Sequence, residues 1–187
     1  MKKNSYRKKR RISGLILSSL LCLALWAGFR IFDRPPVPDE ENFVPAKVVY
    51  VIDGDTAAVK PEGQTEEIRL RFIGIDCPES ADKDETKNTP EGAEAARRTK
   101  EILSGAGNKV FLEYDRERTD QYGRTLAYVW IPDGSGGYAC VEELLLSEGM
   151  CRTMRIEPNS KYASLFEKAE QSAKEKKAGF WGTGFYQ

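Results

Sequence analysis

The stretch KVVYVIDGDTAAVKPEGQTEEIRLRFIGI, residues 47–75, decides the fold of this chain. Lys47–Ile52 is short and rich in β-branched residues, and Thr56–Lys60 follows it across an Asp-Gly turn signal. Pro61-Glu62-Gly63 marks a second turn, after which Glu66–Ile75 is the longest strand candidate. The stretch therefore predicts three consecutive strands joined by short turns.

The pattern beyond residue 75 completes a barrel. Residues 76–90 are charged, polar and without periodicity, which predicts a surface loop. The later elements are predicted in the order helix, strand, strand, helix, helix, at Glu91–Ser104, Lys109–Tyr114, Arg124–Ile131, 141–148 and 162–173. Five strands with a helix between the third and fourth are typical of a partly open OB-type barrel. The predicted fold class is β-rich α+β: a five-stranded OB-type barrel with three helices, preceded by one transmembrane helix.

The N-terminal segment has a different character. Residues 1–11 form a basic tail that should stay cytoplasmic, and residues 12–29 carry no charge. A helix of that length spans roughly 27 Å, close to the ~30 Å hydrocarbon core of a bilayer. Residues 12–29 therefore predict a transmembrane anchor, with a cleaved signal sequence as the alternative. Residues 30–45, rich in proline and acids, predict a linker to a folded domain at 46–187.

This organisation predicts the location of the domain. With a cytoplasmic basic tail, a single-pass protein in the cell membrane has its domain outside the cell. Secretion after cleavage of the signal is the alternative. The membrane is thus predicted to be bound through residues 12–29, and no protein partner is predicted.

The charge of the chain is unevenly distributed. Residues 1–38 hold nine Lys or Arg and one Asp, so residues 39–187 carry a net charge of −8. A protein that coats nucleic acid by bulk attraction is usually basic. The acidic domain therefore argues against that role.

The residue types exclude several kinds of chemistry. The chain has no histidine, which removes the usual base of Ser-His-Asp and Cys-His hydrolases and any zinc site built on imidazole. The cysteines, Cys22, Cys77, Cys140 and Cys151, include no CxxC pair, which argues against a zinc ribbon. One disulfide is possible among the three outside the apolar run. The sequence leaves open both its pairing and the alternative of unpaired thiols in the core.

Four short polar motifs lie near the ends of the predicted strands. Taken singly, each fits an ordinary turn, loop or exposed strand. They are DGDT at 53–56, the pair Arg69 and Arg71 on one face of a strand, DCPE at 76–79 and RTDQYGR at 118–124. Together they bring acids and arginines to strand ends, which predicts a phosphodiester site.

Each residue type suits one part of phosphodiester hydrolysis. Asp55 and Asp76 can supply the oxygen ligands that calcium prefers. A carboxylate at Glu79 can orient or deprotonate a water, and guanidinium groups match the oxygens of a five-coordinate phosphorus. With no histidine in the chain, this division of labour is nearly the only hydrolytic route left.

From Val48 to Trp181 the chain resembles the thermonuclease (staphylococcal-nuclease-like) family. The matching motifs occur in the family's order and spacing: VIDGDT at 51–56, RFIGIDCPE at 71–79, RTDQYGRTLAYVW at 118–130 and AGFWG at 178–182. The resemblance implies a calcium cofactor held by Asp55, Asp76 and the backbone carbonyl of Cys77. Cys77 is a departure, since the family usually has threonine there, and a contact through the carbonyl should tolerate it.

The resemblance also implies the reaction and its residues. Glu79 is the implied general base, Arg71 and Arg124 are the implied catalytic arginines, and Tyr122 aligns with a substrate-side aromatic. The implied activity is hydrolysis of DNA and RNA with little sequence preference, giving 3′-phosphate ends. The alternative is a catalytically silent OB-fold module that binds nucleic acid or protein. The enzyme is favoured because all the acidic and arginine positions are filled.

Overall fold

In this computed structural model the structure describes residues 38–82 and 84–186. Two single 3₁₀ turns, Glu40–Asn42 and Glu85–Lys87, lie outside the strands and α-helices. In chain order the elements are β1 (Val44–Asp53), β2 (Thr56–Pro61), β3 (Ile68–Phe72), β4 (Ile75–Asp76), α1 (Pro90–Gly105), β5 (Lys109–Glu113), β6 (Thr125–Pro132), β7 (Tyr138–Cys140), α2 (Val141–Ser147), β8 (Arg152–Thr153), α3 (Ala163–Lys176) and α4 (Gly179–Thr183).

Five of these strands close a barrel. They are hydrogen-bonded in the order β3-β2-β1-β5-β6, each pair antiparallel, and β3 also pairs with β6 in parallel. The strand β7 extends the sheet beside β6, whereas β4 and β8 form a separate two-stranded sheet. The predicted OB-type barrel of five strands, with a helix between the third and fourth, is confirmed.

Alternation along the strands fills the barrel. Ala57 and Val59 of β2 and Leu70 and Phe72 of β3 belong to the buried core. Because successive residues of a strand face opposite sides, Lys60, which follows Val59, lies on the outer face and is exposed. The same alternation on β3 places Arg71 on the side opposite the core residues.

The helices cover the open parts of the barrel. Helix α1 begins with Thr89 as its cap, whose hydroxyl oxygen accepts a hydrogen bond from the amide of Gly92, and with proline at its first position. Helix α3 packs through Phe166, whose ring lies 5.9 Å from that of Tyr128. Gly92, in the first turn of α1, lets the helix approach the loop before it, because a Cβ atom at that position would clash with the backbone of Glu79.

Several predicted boundaries were wrong. The strand predicted at Glu66–Ile75 is two strands, because Gly74, with a φ of 90°, turns the chain so that Ile75 pairs with β8 and not within the barrel. Val44 and Pro45, which lie within the predicted linker at residues 30–45, pair with β5 as part of β1. The sequence also gave no sign of β7, β8 or α4, which are only two to five residues long in the structure.

The basic tail and the predicted transmembrane segment, residues 1–11 and 12–29, lie outside the described residues. Among the helices at 38–82 and 84–186, none combines the length and apolar character needed to cross a bilayer.

Candidate active site

The turn between β1 and β2 carries the first acids of the site. Gly54 sits at its centre, and a Cβ atom there would lie 2.7 Å from the Cβ of Cys77 and 2.9 Å from that of Ala95. Only glycine therefore lets this turn pack against both the DCPE loop and helix α1. Thr99 of α1 fixes the turn further, because its hydroxyl donates to the Gly54 carbonyl at 2.7 Å.

Asp53 holds the loop that carries Glu79. Its carboxylate accepts hydrogen bonds from the amide of Ser80 at 3.2 Å and from the Ser80 hydroxyl at 2.9 Å. On the other side of the loop, the Glu79 carbonyl accepts from the amide of Thr89, and a Cβ on Gly92 would lie 2.0 Å from that carbonyl oxygen. The sequence alone indicates no role for Asp53 beyond that of a turn residue in the DGDT motif.

Arg71 lies close to both of the predicted carboxylate ligands of the metal. Its Nη2 lies 3.2 Å from Oδ2 of Asp55 and 3.8 Å from Oδ1 of Asp76. Arg71 is buried, and its Nη1 donates to the Phe72 carbonyl at 2.8 Å, so the guanidinium is fixed in place. The amide of Cys77 also donates to Oδ2 of Asp55, at 3.0 Å. Asp55, Asp76 and Arg71 are thus brought together as the sequence predicted.

The cluster carries more carboxylates than its bases balance. Burial raises the pKa of Asp55, although Arg71 and the Cys77 amide act against that shift. Partial burial, a hydrogen bond with Asp53 and the charges of Asp53 and Asp55 raise the pKa of Glu79 to about 7. These raised values mean that the site favours added positive charge, either as protons or as a cation.

The donor set suits a hard cation. No group of three or more Cys, Asp or Glu side chains that could hold a metal unaided occurs in residues 38–82 and 84–186. Asp55 and Asp76 would therefore need backbone oxygen and water to complete the shell, which calcium accepts because it takes six to eight oxygen ligands in flexible geometry. The residues present fit calcium on these terms.

A disulfide joins Cys77 to Cys151, whereas Cys140 is free and buried. The sulfur of Cys77 is thus bonded to the sulfur of Cys151, and only the backbone of Cys77 can take part in binding a cation. The bond follows from the register, since Asp76 lies opposite Arg152 in the β4–β8 sheet and the cysteines are the next residues along. Sequence alone could not reveal this pairing because the two cysteines are 74 residues apart.

Arg152 is a second residue that the sequence did not reveal. Its Nη2 lies 2.8 Å and its Nε 3.0 Å from Oδ2 of Asp76, and this pairing lies at the surface. Asp76 therefore has Arg71 near one oxygen and Arg152 on the other. Strand β8, which positions Arg152, has only two residues and is too short to be recognised from the sequence.

The RTDQYGR motif leads into β6, the strand that pairs with the strand of Arg71. The second arginine of the motif, Arg124, pairs with Asp120 through Nε at 2.6 Å and lies 5.5 Å from the ring centre of Tyr122. Tyr122 is 75% exposed, so its ring is free to meet a ligand. Arg124 immediately precedes Thr125, which pairs with Leu70 next to Arg71. The barrel closure thus connects this motif to the strand of Arg71, although Arg124 pairs with Asp120 and not with Asp55 or Asp76.

The fold and the site define a class: an OB-fold hydrolase that acts on phosphodiester bonds. Residues 69–183 match the family described as "Staphylococcal nuclease homologue". The thermonuclease of Staphylococcus hyicus is 42% identical over 135 residues, which cover 72% of this chain and 74% of that protein. The thermonuclease of Staphylococcus intermedius is 43% identical over 134 residues, with the same coverage of both chains. Endonuclease YncB of Bacillus subtilis is 36% identical over 154 residues, 81% of this chain and 68% of YncB.

The chain therefore belongs to the staphylococcal nuclease family, and it is a nuclease. The family membership predicted from the four motifs is confirmed. The ligand and catalytic roles of individual residues stay predictions.

Proposed function

We propose that this nuclease is a calcium-dependent endonuclease that hydrolyses DNA and RNA with little sequence preference and leaves 3′-phosphate ends. The observation that carries the proposal is the convergence of Asp55 and Asp76 on the Arg71 guanidinium. Two carboxylates and a fixed arginine at one point offer a cation and a phosphate neighbouring places to bind. The thermonuclease relatives support the same reading.

We assign each of these residues a role. Asp55, Asp76 and the Cys77 carbonyl would hold calcium, which when bound offsets negative charge and polarises a phosphoryl oxygen. Arg71 donates to the phosphate oxygens, as does Arg124 once released from Asp120.

Glu79 is the base in this proposal. A carboxyl with a pKa near the working pH is an effective proton acceptor, and the pKa of Glu79 is raised to about 7. It takes a proton from water as the water oxygen attacks phosphorus. The bond to the 5′-oxygen then breaks, the 5′-oxygen takes a proton from solvent and leaves as a hydroxyl group, and the phosphate stays on the 3′ side.

The test is the chemistry of the products. Purified full chain with calcium is expected to cut circular single-stranded DNA, and RNA, into fragments that polymerase extends only after phosphatase treatment removes the 3′-phosphate. Fragments that extend without phosphatase would refute the predicted product. A complete lack of cutting would instead favour a silent binding module.

We further propose that the nuclease domain lies outside the cell on an uncleaved anchor at residues 12–29. The Cys77–Cys151 disulfide supports this location, because such bonds persist mainly in oxidising compartments. Protease added to intact cells is expected to remove the domain while sparing a cytoplasmic control protein. Survival of the domain, or a mature protein that begins after the anchor, would contradict the proposal.

A further inference from the structure

Three lysines form a row across the outer face of the barrel. Lys47 of β1 lies opposite Lys60 of β2 on one side and opposite Lys109 of β5 on the other. Residues that are paired in this way point to the same face of a sheet, and all three are exposed. With strands about 4.8 Å apart, the row extends over roughly 10 Å. We call Lys47, Lys60 and Lys109 the lysine row.

This arrangement carries a structural cost. Like charges directly opposite one another in a sheet are destabilising. Within the part of the chain that the structure describes, no ion pair links any lysine of the row to a carboxylate. Three neighbouring lysines are thus left without an ion-pair partner among the described residues, on a domain that is otherwise acidic. An anionic ligand would relieve this repulsion.

The same face leads to the active site. Thr56, Ala58 and Lys60 alternate along one face of β2, and Arg71 and Arg69 of β3 lie opposite Thr56 and Ala58. Each step of two residues is roughly 6.6 Å, so the lysine row begins about 13 Å along the strand from the position of Arg71.

An aromatic residue lies along the sheet at a level between that of Arg71 and that of the lysine row. Tyr50 of β1 is opposite Ala58, which places it at the same level as Arg69, and its side chain is 56% exposed. Basic side chains that alternate with an exposed aromatic residue are typical of surfaces that bind single-stranded nucleic acid. The phosphates pair with the basic side chains, and a nucleobase stacks on the aromatic ring.

The lysine row also borders a groove of about 360 Å³. Pro45, Pro61 and Phe111 contribute to its lining, and Glu62 adds a single carboxylate. The groove therefore offers an apolar surface beside a positive edge. That combination suits a nucleic-acid strand whose nucleobases contact the apolar part of the groove while its phosphates contact the lysines.

We propose that Arg69, Tyr50 and the lysine row bind the backbone of a single nucleic-acid strand as it leaves the catalytic site. The proposal rests on the nuclease function and extends it, because it assigns a substrate-binding surface beyond the reacting phosphate. It also explains how a domain with a net charge of −8 over residues 39–187 can hold a polyanion: the attraction is confined to one face. Short substrates that do not reach the row gain nothing from it.

The test measures binding without cleavage. The full chain and the triple variant Lys47→Gln, Lys60→Gln, Lys109→Gln are titrated onto a labelled 20-nucleotide DNA strand in excess chelator, at several salt concentrations. We expect the triple variant to bind on the order of 10-fold more weakly, and its slope of log affinity against log salt to fall by about 2, as loss of three single-strand phosphate contacts requires. Tyr50→Ala is expected to lose roughly 10-fold in affinity with an unchanged slope, because stacking is not ionic.

A matched triple variant controls for net charge. Lys100→Gln, Lys176→Gln, Lys177→Gln removes the same charge from exposed positions on α1 and at the end of α3, and it should bind as the unaltered chain does. Equal losses in both triples, or none in either, would overturn the proposal. So would loss of binding to vesicles of anionic lipid with unaltered DNA affinity, because the row would then be a membrane contact.

The outcome is separable from the proposed function. The binding measurement needs no catalysis, so it stands even if the chain cuts nothing. If it does cut, the lysine-row triple should raise the Michaelis constant for long single strands and leave turnover of a trinucleotide unchanged. A trinucleotide defect equal to the long-strand defect would also overturn the proposal.

Discussion

Glu79→Gln is expected to slow DNA hydrolysis by about 10²-fold or more while the domain stays folded. The amide keeps the size of the carboxyl and can still donate a hydrogen bond to Asp53, but it cannot accept a proton from water. Since Glu79 is exposed and lies in a loop, the substitution should leave the packing of the barrel core unchanged. Single-turnover rates at saturating calcium measure the effect directly, and thermal unfolding checks the fold.

Glu85→Gln is the matched control, because Glu85 is an exposed acid in the same connection between β4 and α1. It changes the net charge by the same amount and should leave the rate within about twofold. Near-normal turnover in Glu79→Gln would move the base to another residue. Equal losses in both variants would assign the effect to charge alone.

Removal of the disulfide is expected to cost about 4 kcal/mol of stability, since Cys77 and Cys151 close a loop of 74 residues. Both cysteines are buried, so a double change to alanine avoids leaving a polar group inside. For a chain of this size the loss corresponds to a fall in Tm of roughly 10 °C. Calcium affinity should weaken as well, because Asp76 immediately precedes Cys77.

Reducing agent provides the control for this prediction. It should lower the Tm of the unaltered chain towards that of the double variant and leave the double variant itself unchanged. Cys140 is present in both proteins, so any effect of its free thiol cancels. A double variant as stable as the unaltered chain would show that the cross-link contributes nothing to the folded state.

The barrel could be predicted because its signals are local. The Asp-Gly turn, the alternation in Lys109–Tyr114 and the periodicity of Glu91–Ser104 each depend on neighbours within a few residues. The clustering of Asp55, Asp76 and Arg71 followed from motifs at adjoining strand ends. These are the parts on which sequence and structure agree.

What could not be predicted depends on contacts between distant residues. Arg152 meets Asp76 across 76 positions, and the disulfide spans nearly as many. The strands β4 and β8 are two residues each, too short for any periodicity to appear. From the sequence Asp53 resembles a turn residue, because its hydrogen bonds with Ser80 exist only once the loop has folded back.

The lysine row illustrates the same limit for charge. The total of −8 for residues 39–187 argues against attraction of a polyanion, and from the sequence Lys47, Lys60 and Lys109 are isolated bases. Only the register of three strands brings them to one level. The net charge of residues 39–187 is therefore negative, although the lysine row makes one part of the outer face locally positive.

The central claim is that a cation held by Asp55 and Asp76 is required for hydrolysis. The most direct measurement is the rate of DNA hydrolysis by the purified full chain after chelation, followed by titration with calcium and separately with magnesium. We predict no hydrolysis above the Glu79→Gln background in chelator, full recovery with calcium and poor recovery with magnesium, whose octahedral geometry is stricter. Undiminished hydrolysis in excess chelator would contradict the claim.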